Sequence, residues 1–371
     1  LGQVAQVDQR TGLSQDELKS IIGDYDALMI RSGTQVTADV IEAADRLRII
    51  GRAGVGVDNV DVPAATQRGV LVVNSPEGNT IAAAEHALAL LLSLSRHVPQ
   101  AHASMRAGAW DRKKYVGNEL YKKVLGVVGL GKIGSHVAKV AKAMGMEVIA
   151  FDPFISADRA QQMQVRLTTL EDLFRQADYI TLHIPRTPDT ENLVNAELLR
   201  SMKSTARIVN CARGGIVDEA AIAEAIDNGV IAGAGLDVFA SEPLDQDSPL
   251  RAVERGLVLT PHLGASTEEA QENVATDVAE QIRDVLLGLP ARSAVNIPGL
   301  SAEIMERLKP HLQLAETLGL LVSQLSGGQV QELEVRLQGE FANHPSQPLV
   351  VAALKGLLTS ALGERINYVN A

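Results

Sequence analysis

Val124-Leu125-Gly126-Val127-Val128-Gly129-Leu130-Gly131-Lys132-Ile133-Gly134, then a helical stretch, then Val148-Ile149-Ala150-Phe151-Asp152, is the stretch that decides the fold of this 371-residue chain. The apolar run from Val124 to Val128 reads as a buried strand, the glycines as a turn opening a helix, and Val148 to Phe151 as a second, parallel strand. Gly129 permits the tight turn, Gly131 lets a ligand approach the backbone, and Gly134, with no Cβ, lets the helix pack closely on the strand. The first N–H groups of such a helix lie at the positive end of its dipole, where phosphates bind. A lone G-x-G-x-x-G is a weak signal; here strand, glycines, helix and acidic residue follow in the order a dinucleotide needs. Asp152 can accept hydrogen bonds from both ribose hydroxyls and would repel a 2′-phosphate, and the Pro153-Phe154-Ile155 that follows offers no cation to hold one. The expected cofactor is NAD.

Composition sets the frame around that unit. Apolar residues make up 46% of the chain and aromatics only 3%, so the core is built from small aliphatic side chains, as in parallel strands under close-packed helices. A formal charge of -11 argues against phosphate-backbone binding, so no nucleic acid partner is expected. Cys211 is the only cysteine, which rules out an intrachain disulfide and suits a reducing cytoplasm. No apolar run has the length of a membrane span and no signal peptide opens the chain, so no membrane partner is expected. The first clear strand comes only at Ala27 to Ile30, which suggests that an initial strand precedes Leu1.

Outward from the glycine turn, strand and helix patterns alternate. Before it come a helix near Ser14 to Ile22, strand Ala27 to Arg31, helix Thr37 to Ala44, strands Arg48 to Arg52 and Val70 to Asn74, and a long helix from Thr80 to His97 with an alanine-rich face from Ala82 to Ala89. After it come strands at Glu147 to Phe151, Tyr179 to His183, Arg207 to Asn210, Ala232 to Asp237 and Leu257 to Thr260, and a helix over Thr267 to Leu287. Asp218 and Gly229 punctuate the ends of a helix at Glu219 to Asp227. The tail reads as helix Ala302 to Leu325, alternating strand Gln329 to Leu337, a Pro-rich loop at His344 to Pro348, and a further helix. The fold class is α/β: a doubly wound parallel-sheet Rossmann domain (75–264) inserted in a smaller flavodoxin-like α/β substrate domain (1–74 and 265–295), plus a C-terminal α/β intervening domain (296–371). Crossings near Ser75 and Gly264 are expected to form a hinge whose closure excludes water from the chemistry.

Ligands of such sheets bind beyond the carboxyl ends of the strands. Three polar side chains lie there: Arg213 in Asn210-Cys211-Ala212-Arg213-Gly214-Gly215, Glu242 in Ser241-Glu242-Pro243, and His262 in Thr260-Pro261-His262-Leu263. Hydride exchange with a 2-hydroxy acid needs a base for the hydroxyl proton, a partner for that base, and a cation for the carboxylate. His262 suits the first role, Glu242 the second by fixing the imidazole tautomer, and Arg213 the third through its planar fork. Each residue alone is as well read as a surface or turn residue; together, at the ends of one sheet, they make a catalytic set.

Gly51-Arg52-Ala53-Gly54-Val55-Gly56-Val57-Asp58-Asn59-Val60-Asp61, Asn210 to Asp218, and Pro261 to Ser266 resemble the signatures of the D-isomer-specific 2-hydroxyacid dehydrogenases, and within them the D-3-phosphoglycerate dehydrogenases, over nearly all of residues 10–296. The resemblance implies NAD-dependent oxidation of 3-phospho-D-glycerate to 3-phosphohydroxypyruvate, the entry to serine biosynthesis, by a homodimer or homotetramer. It implies catalysis by Arg213, Glu242 and His262. Cofactor contacts are implied for Lys132, Ile133, Asp152, Cys211, Ala212, Asp237 and the His262 to Ala265 turn with Gly264, beside Gly129, Gly131 and Gly134. Val55 and Ile184 stand where some members carry Thr, so only backbone contacts to the cofactor are expected there. Substrate contacts are implied for Arg31, Arg52, Ala53 and Gly54, with Arg112 of Arg112-Lys113-Lys114 reaching across from a neighbouring subunit. The helix from Thr80 and the Trp110 region are the expected subunit interface. In the long form of the family a regulatory ACT domain follows the intervening domain; none follows Ala371, so serine feedback through one is not expected of this chain.

None of the remaining histidines, His86, His97, His102, His136 and His183 among them, has metal-ligand spacing, and no metal is expected. Alternative readings are the same chemistry on glyoxylate, hydroxypyruvate or D-lactate, or a dinucleotide-sensing binding protein.

Overall fold

Short aliphatic strands flanked by helices assemble here into two parallel sheets, in a computed structural model that describes residues 1–289, 291–297, 302–327, 330–339, 347–362, 367, 369 and 370. The chain divides into two compact units, Leu1–Gly78 with Gln271–Ala371, and Asn79–Ala270.

The first unit opens with α1 (Gln15–Ile21), whose N-terminus is closed by a capping box: the Ser14 hydroxyl accepts from the Glu17 N–H and the Glu17 carboxylate accepts from the Ser14 N–H. Then follow β1 (Ala27–Ile30), α2 (Ala38–Glu42), β2 (Ile49–Arg52), α3 (Val62–Gln67) and β3 (Leu71–Asn74). The sheet order is β1-β2-β3, all parallel, with Ile30 opposite Arg52 and Arg52 opposite Asn74. One face packs on Leu18, Ile22, Val40 and Ile41, the other on Val274, Val278 and Ile282.

The second unit begins with α4 (Thr80–Arg96) and α5 (Val98–Arg106) and continues β4 (Val124–Val128), α6 (Lys132–Ala143), β5 (Glu147–Phe151), α7 (Ala157–Gln162), β6 (Arg166–Leu167), α8 (Leu170–Gln176), β7 (Tyr179–Leu182), α9 (Ala196–Arg200), β8 (Arg207–Asn210), α10 (Glu219–Asp227), β9 (Gly233–Leu236) and β10 (Leu257–Leu259). Its sheet runs β10-β9-β8-β7-β4-β5-β6, parallel throughout. From β4 the chain winds out through β5 and β6, then returns to the other side of β4 as β7. The order therefore reverses at β4, and the crevice beyond its carboxyl end is the ligand-binding position of such a sheet. Strands β7, β8 and β9 are buried at every residue, which explains their continuous apolar reading.

Chain order then gives α11 (Glu268–Leu286), whose residues from Gln271 belong to the first unit, α12 (Ala302–Leu325) and α13 (Gln347–Leu362). Two expectations are corrected here. Residues 330–338 carry no strand, because no neighbouring strand among the described residues offers their backbone a ladder; Gln329 lies outside the described residues. Gln347 and Pro348 open α13 rather than end a loop, in keeping with proline's fixed φ in a first helical turn; His344, Pro345 and Ser346 of that expected loop lie outside the described residues. Ala82, Ala83, Ala84 and Ala87 of α4 are buried, while Ile81, Ala89 and Leu92 of the same helix are exposed, as is Trp110 at 74%.

The pair α12 and α13 crosses at two glycines. A Cβ at Gly319 would lie 2.0 Å from the Ala353 carbonyl oxygen, and one at Gly356 would lie 1.9 Å from that of Glu316. Alanine is the better helix former by about 1 kcal/mol, so in an isolated helix Gly319→Ala would stabilise. Here the clash wins, and the variant is expected to lose about 1–3 kcal/mol of local stability. Faster amide hydrogen exchange in α12 and α13 relative to wild type is the measurement that checks it.

Candidate active site

Each glycine of the turn after β4 has a separate job in the second unit. Gly129 sits at φ +92°, a left-handed conformation, and a Cβ on it would lie 2.5 Å from the His183 carbonyl oxygen. Gly134 packs α6 on that turn so tightly that a Cβ would lie 2.0 Å from the Gly129 carbonyl oxygen. Gly131 differs from both: its φ is ordinary, −62°, and nothing lies within 4 Å of where its Cβ would be. It is also the N-cap of α6, and no side chain caps that helix. An open cradle at an uncapped helix N-terminus fits a pyrophosphate.

Asp152 follows β5 and faces the same turn. Its Oδ2 accepts from the Leu130 N–H at 2.7 Å and its Oδ1 from the N–H groups of Phe154 and Ile155 at 2.8 and 3.2 Å. The carboxylate is thus held rigidly beside the glycines, and each oxygen has further lone-pair capacity for ribose hydroxyls. Ile184, after β7, lies against the turn: its Cγ2 would be 2.9 Å from a Cβ on Gly129.

The loops after β8, β9 and β10 carry the three polar side chains singled out in the sequence. Asn210, the buried last residue of β8, accepts from the Ala212 N–H at 3.0 Å and donates to the Arg213 carbonyl at 2.9 Å, so it shapes the Cys211–Arg213 turn. Gly214 then presses on the neighbouring loop; a Cβ there would lie 1.7 Å from the Phe239 carbonyl oxygen. In that loop Glu242 Oε1 accepts from the Phe239 N–H at 3.0 Å, leaving Oε2 for His262 Nδ1 at 2.7 Å. His262 and Glu242 therefore form a hydrogen-bonded pair, and their side chains are 49% and 35% exposed, open to a substrate. With Nδ1–H donating to the carboxylate, Nε2 carries the free lone pair a base needs.

Asp237 connects these loops. It is fully buried, and Oδ1 accepts from the Thr260 hydroxyl at 2.6 Å and the Leu263 N–H at 2.8 Å, while Oδ2 accepts from the Gly264 N–H at 2.8 Å. Burial pushes its pKa up, but the hydrogen bonds from His86, Thr260 and Leu263 outweigh that and hold it below the ordinary carboxylate range. Cys211 is the opposite case: burial, with the Asp237 charge beside it, pushes its thiol up, so it stays protonated and unreactive. Two residues without a role in the sequence reading, His86 and Asn210, prove to be structural parts of this site. His86 gives no sequence signal because it lies in the aliphatic pattern of α4; Asn210 could have been suspected as a polar residue closing an apolar strand.

In the first unit, Arg31 follows β1 and Arg52 closes β2. Arg31 Nη1 donates to Gln271 Oε1 at 3.4 Å, and Asn59 donates to the Arg31 carbonyl at 2.9 Å. The Arg52 guanidinium lies across Gly54, where φ is +147° and a Cβ would meet Nη1 at 1.5 Å; its Nη1 donates to the Ala53 carbonyl at 3.4 Å. Asn74 holds the end of this loop by donating to the Val55 carbonyl. Arg112 lies on the exposed turn Arg112–Tyr115 rather than at a strand end. His86, Cys211 and Asp237 are the one group of possible metal ligands among the described residues, with ligand atoms within 4.8 Å of one another, and two of them, His86 and Asp237, are hydrogen-bonded to each other.

The chain matches known proteins over most of its length. Residues 88–264 match the family model of the D-isomer specific 2-hydroxyacid dehydrogenase NAD binding domain, and residues 307–371 that of the D-3-phosphoglycerate dehydrogenase intervening domain. The chain is 65% identical over 372 aligned residues to the D-3-phosphoglycerate dehydrogenase of Synechocystis sp., covering all of this chain and 67% of that one. It is 46% identical to that of Bacillus subtilis over 98% of this chain and 68% of the other. The chain belongs to the D-3-phosphoglycerate dehydrogenase family. Its fold is that of the wider 2-hydroxyacid dehydrogenases: a protein structure from Thermus thermophilus matches with a TM-score of 0.72 at 36% identity, over 78% of this chain and 92% of that chain. The D-lactate dehydrogenase of Aquifex aeolicus, solved with NAD and lactic acid, matches with a TM-score of 0.66 at 26% identity, over 73% of this chain and 85% of the other. Membership in this family makes the chain an NAD-dependent 2-hydroxyacid dehydrogenase. Among the described residues no helix is long and apolar enough to cross a membrane.

Gly131→Ala separates cofactor binding from folding. With an ordinary φ and open space at the Cβ, the variant is expected to melt with wild type, within about 0.5 kcal/mol. Its methyl group would occupy the cradle, so the Kd for NADH, read by fluorescence titration, should rise about tenfold or more.

Proposed function

We propose that this protein oxidises 3-phospho-D-glycerate to 3-phosphohydroxypyruvate with NAD as hydride acceptor, the first step of serine biosynthesis. The observation that carries the chemistry is the 2.7 Å pair of His262 Nδ1 and Glu242 Oε2, in loops after strands of the sheet that bears the glycine turn. NAD supplies a two-electron acceptor for the hydrogen on C2. His262 Nε2 takes the hydroxyl proton as that hydride departs, so the alcohol loses one proton and one hydride and becomes a ketone. Glu242 keeps the imidazole in the tautomer that leaves Nε2 free and then stabilises the imidazolium. Arg213 holds the substrate carboxylate in a planar fork and offsets negative charge growing on the C2 oxygen.

Binding is divided accordingly. Residues 75–264 carry the cofactor, with Gly129 to Gly134, Asp152, Ile184, Cys211, Ala212, Asp237 and Gly264 among its contacts, and Ala265 and Val55 of the flanking segments are assigned to it as well. Residues 1–74 and 265–295 serve the substrate: Arg31 and Arg52 supply the cations for its phosphate, with Ala53 and Gly54 on its carboxylate side, while Arg112 acts from a neighbouring copy. Residues 296–371 serve assembly of a cytoplasmic homodimer or homotetramer, in which the exposed Trp110 region is a contact.

Replacing His262 with Asn removes the base while leaving a side chain of similar size. The expected outcome is a fall in kcat of about 10²–10⁴-fold for NADH formation from 3-phosphoglycerate, with NADH binding retained; turnover near wild type would remove His262 from the mechanism. On a panel of 2-hydroxy acids, Arg31→Ala and Arg52→Ala should each cut kcat/KM for the phosphorylated substrate by about tenfold or more while leaving that for unphosphorylated acids within about threefold. Equal losses on both would place the arginines outside phosphate recognition.

A further inference from the structure

His86 takes no part in the chemistry above, yet it touches the residue on which the catalytic turn hangs. It lies in the second turn of α4, 18% exposed, with Nε2 3.1 Å from Asp237 Oδ1 and 3.1 Å from Thr260 Oγ1. The Thr260 hydroxyl spends its proton on Asp237 Oδ1 at 2.6 Å. Both oxygens facing Nε2 are therefore acceptors, and Nε2 must carry the hydrogen. This fixes the His86 tautomer from its partners alone.

The downstream links are equally definite. The Asp237 carboxylate accepts from the N–H groups of Leu263 and Gly264, and its carbonyl accepts from the His262 N–H at 2.8 Å. His262 itself is held at φ 55°, a conformation a non-glycine residue rarely keeps without such restraint. If the Asp237 carboxylate turned about its Cβ–Cγ bond, Leu263 and Gly264 would lose their acceptors together, and the backbone that aims the imidazole would relax.

We propose that His86 is a positioning residue for His262: its Nε2–H, shared between Asp237 Oδ1 and Thr260 Oγ1, locks the carboxylate that ties down the His262–Gly264 turn. The proposal rests on the reading of His262 as the base. It makes α4 a support of the chemistry as well as of the sheet, and it predicts that the identity of residue 86 matters through one N–H donor rather than through charge or bulk.

The test uses the whole chain with NAD and 3-phosphoglycerate, and three substitutions: His86→Leu, His86→Gln and His262→Asn. Leu keeps the volume and removes the donor, whereas the amide N–H of Gln reaches about as far as Nε2–H. His86→Leu should lower kcat about tenfold to a hundredfold, as expected for a base displaced by a fraction of an ångström, with KM for 3-phosphoglycerate within about twofold. His86→Gln should recover kcat to within about threefold of wild type. The downfield proton resonance of His262 Nδ1–H, which reports its bond to Glu242, should broaden in the Leu variant and persist in the Gln variant.

Wild-type kcat in His86→Leu, or equal losses in Leu and Gln, would overturn the proposal. If His86→Leu does not fold, His86→Asn, whose shorter amide cannot reach, takes its place against Gln, and equal activity of Asn and Gln is then the overturning result. His262→Asn separates the two levels. Retained turnover there defeats the assignment of the base, while an inactive His262→Asn beside an unaffected His86→Leu defeats the positioning role alone.

Discussion

A single buried carboxylate, that of Asp237, is the constraint on which the geometry of this site depends. Removing a carboxylate from water is expensive unless its lone pairs are met by donors, and here a hydroxyl, an imidazole and two backbone N–H groups meet them. Burial would raise the pKa and the donors lower it; the donors win, so the group stays ionised. The consequence is local rigidity. A neutral acid would offer one proton and fewer acceptor sites, and the backbone after β10 would lose its anchor.

That anchor explains how loops from separate strands become one site. Asp237 belongs to the loop after β9, yet its carboxylate acts on the loop after β10, and a Cβ on Gly264 of that second loop would lie 3.3 Å from Asp237 Oδ2 and 3.9 Å from the Cys211 carbonyl oxygen. Gly214 closes the other side, bringing the Arg213 loop against Phe239. The glycines at 214 and 264 thus do for the loops after β8 and β10 what Gly134 does for the glycine turn after β4: each removes a Cβ at a place where two backbones must approach. Parallel strands supply the frame, since all their carboxyl ends emerge on one edge.

How much of this is legible in the sequence follows from the range of the forces involved. The glycine turn, Asp152 and the alternation of strands and helices rest on local backbone geometry and burial pattern, so they can be read directly: Asp218 caps α10 as its sequence position implies. The pairing of Glu242 with His262 is expected on chemical grounds, because each needs the other. His86 is not legible, because its partner is 151 positions away and its neighbours on α4 are aliphatic. The expected strand fails over its described residues, 330–337, because alternation describes a face and cannot supply a neighbouring strand.

The backbone of the His262–Gly264 turn is unfavourable taken alone. A histidine in the left-handed region costs on the order of 1 kcal/mol or more relative to an ordinary conformation, and His262 sits there at φ 55°. The cost is offset by what the conformation permits. Its N–H reaches the carbonyl of Asp237 at 2.8 Å, the next two N–H groups reach the carboxylate of the same residue, and the imidazole is left facing Glu242. A relaxed backbone would satisfy the local preference of residue 262 and forfeit those bonds together. Because one aspartate collects all of them, the turn has a single low-energy arrangement. The His262 imidazole is therefore already aligned with the Glu242 carboxylate, so under the proposed mechanism little reorganisation is left for the moment of proton transfer.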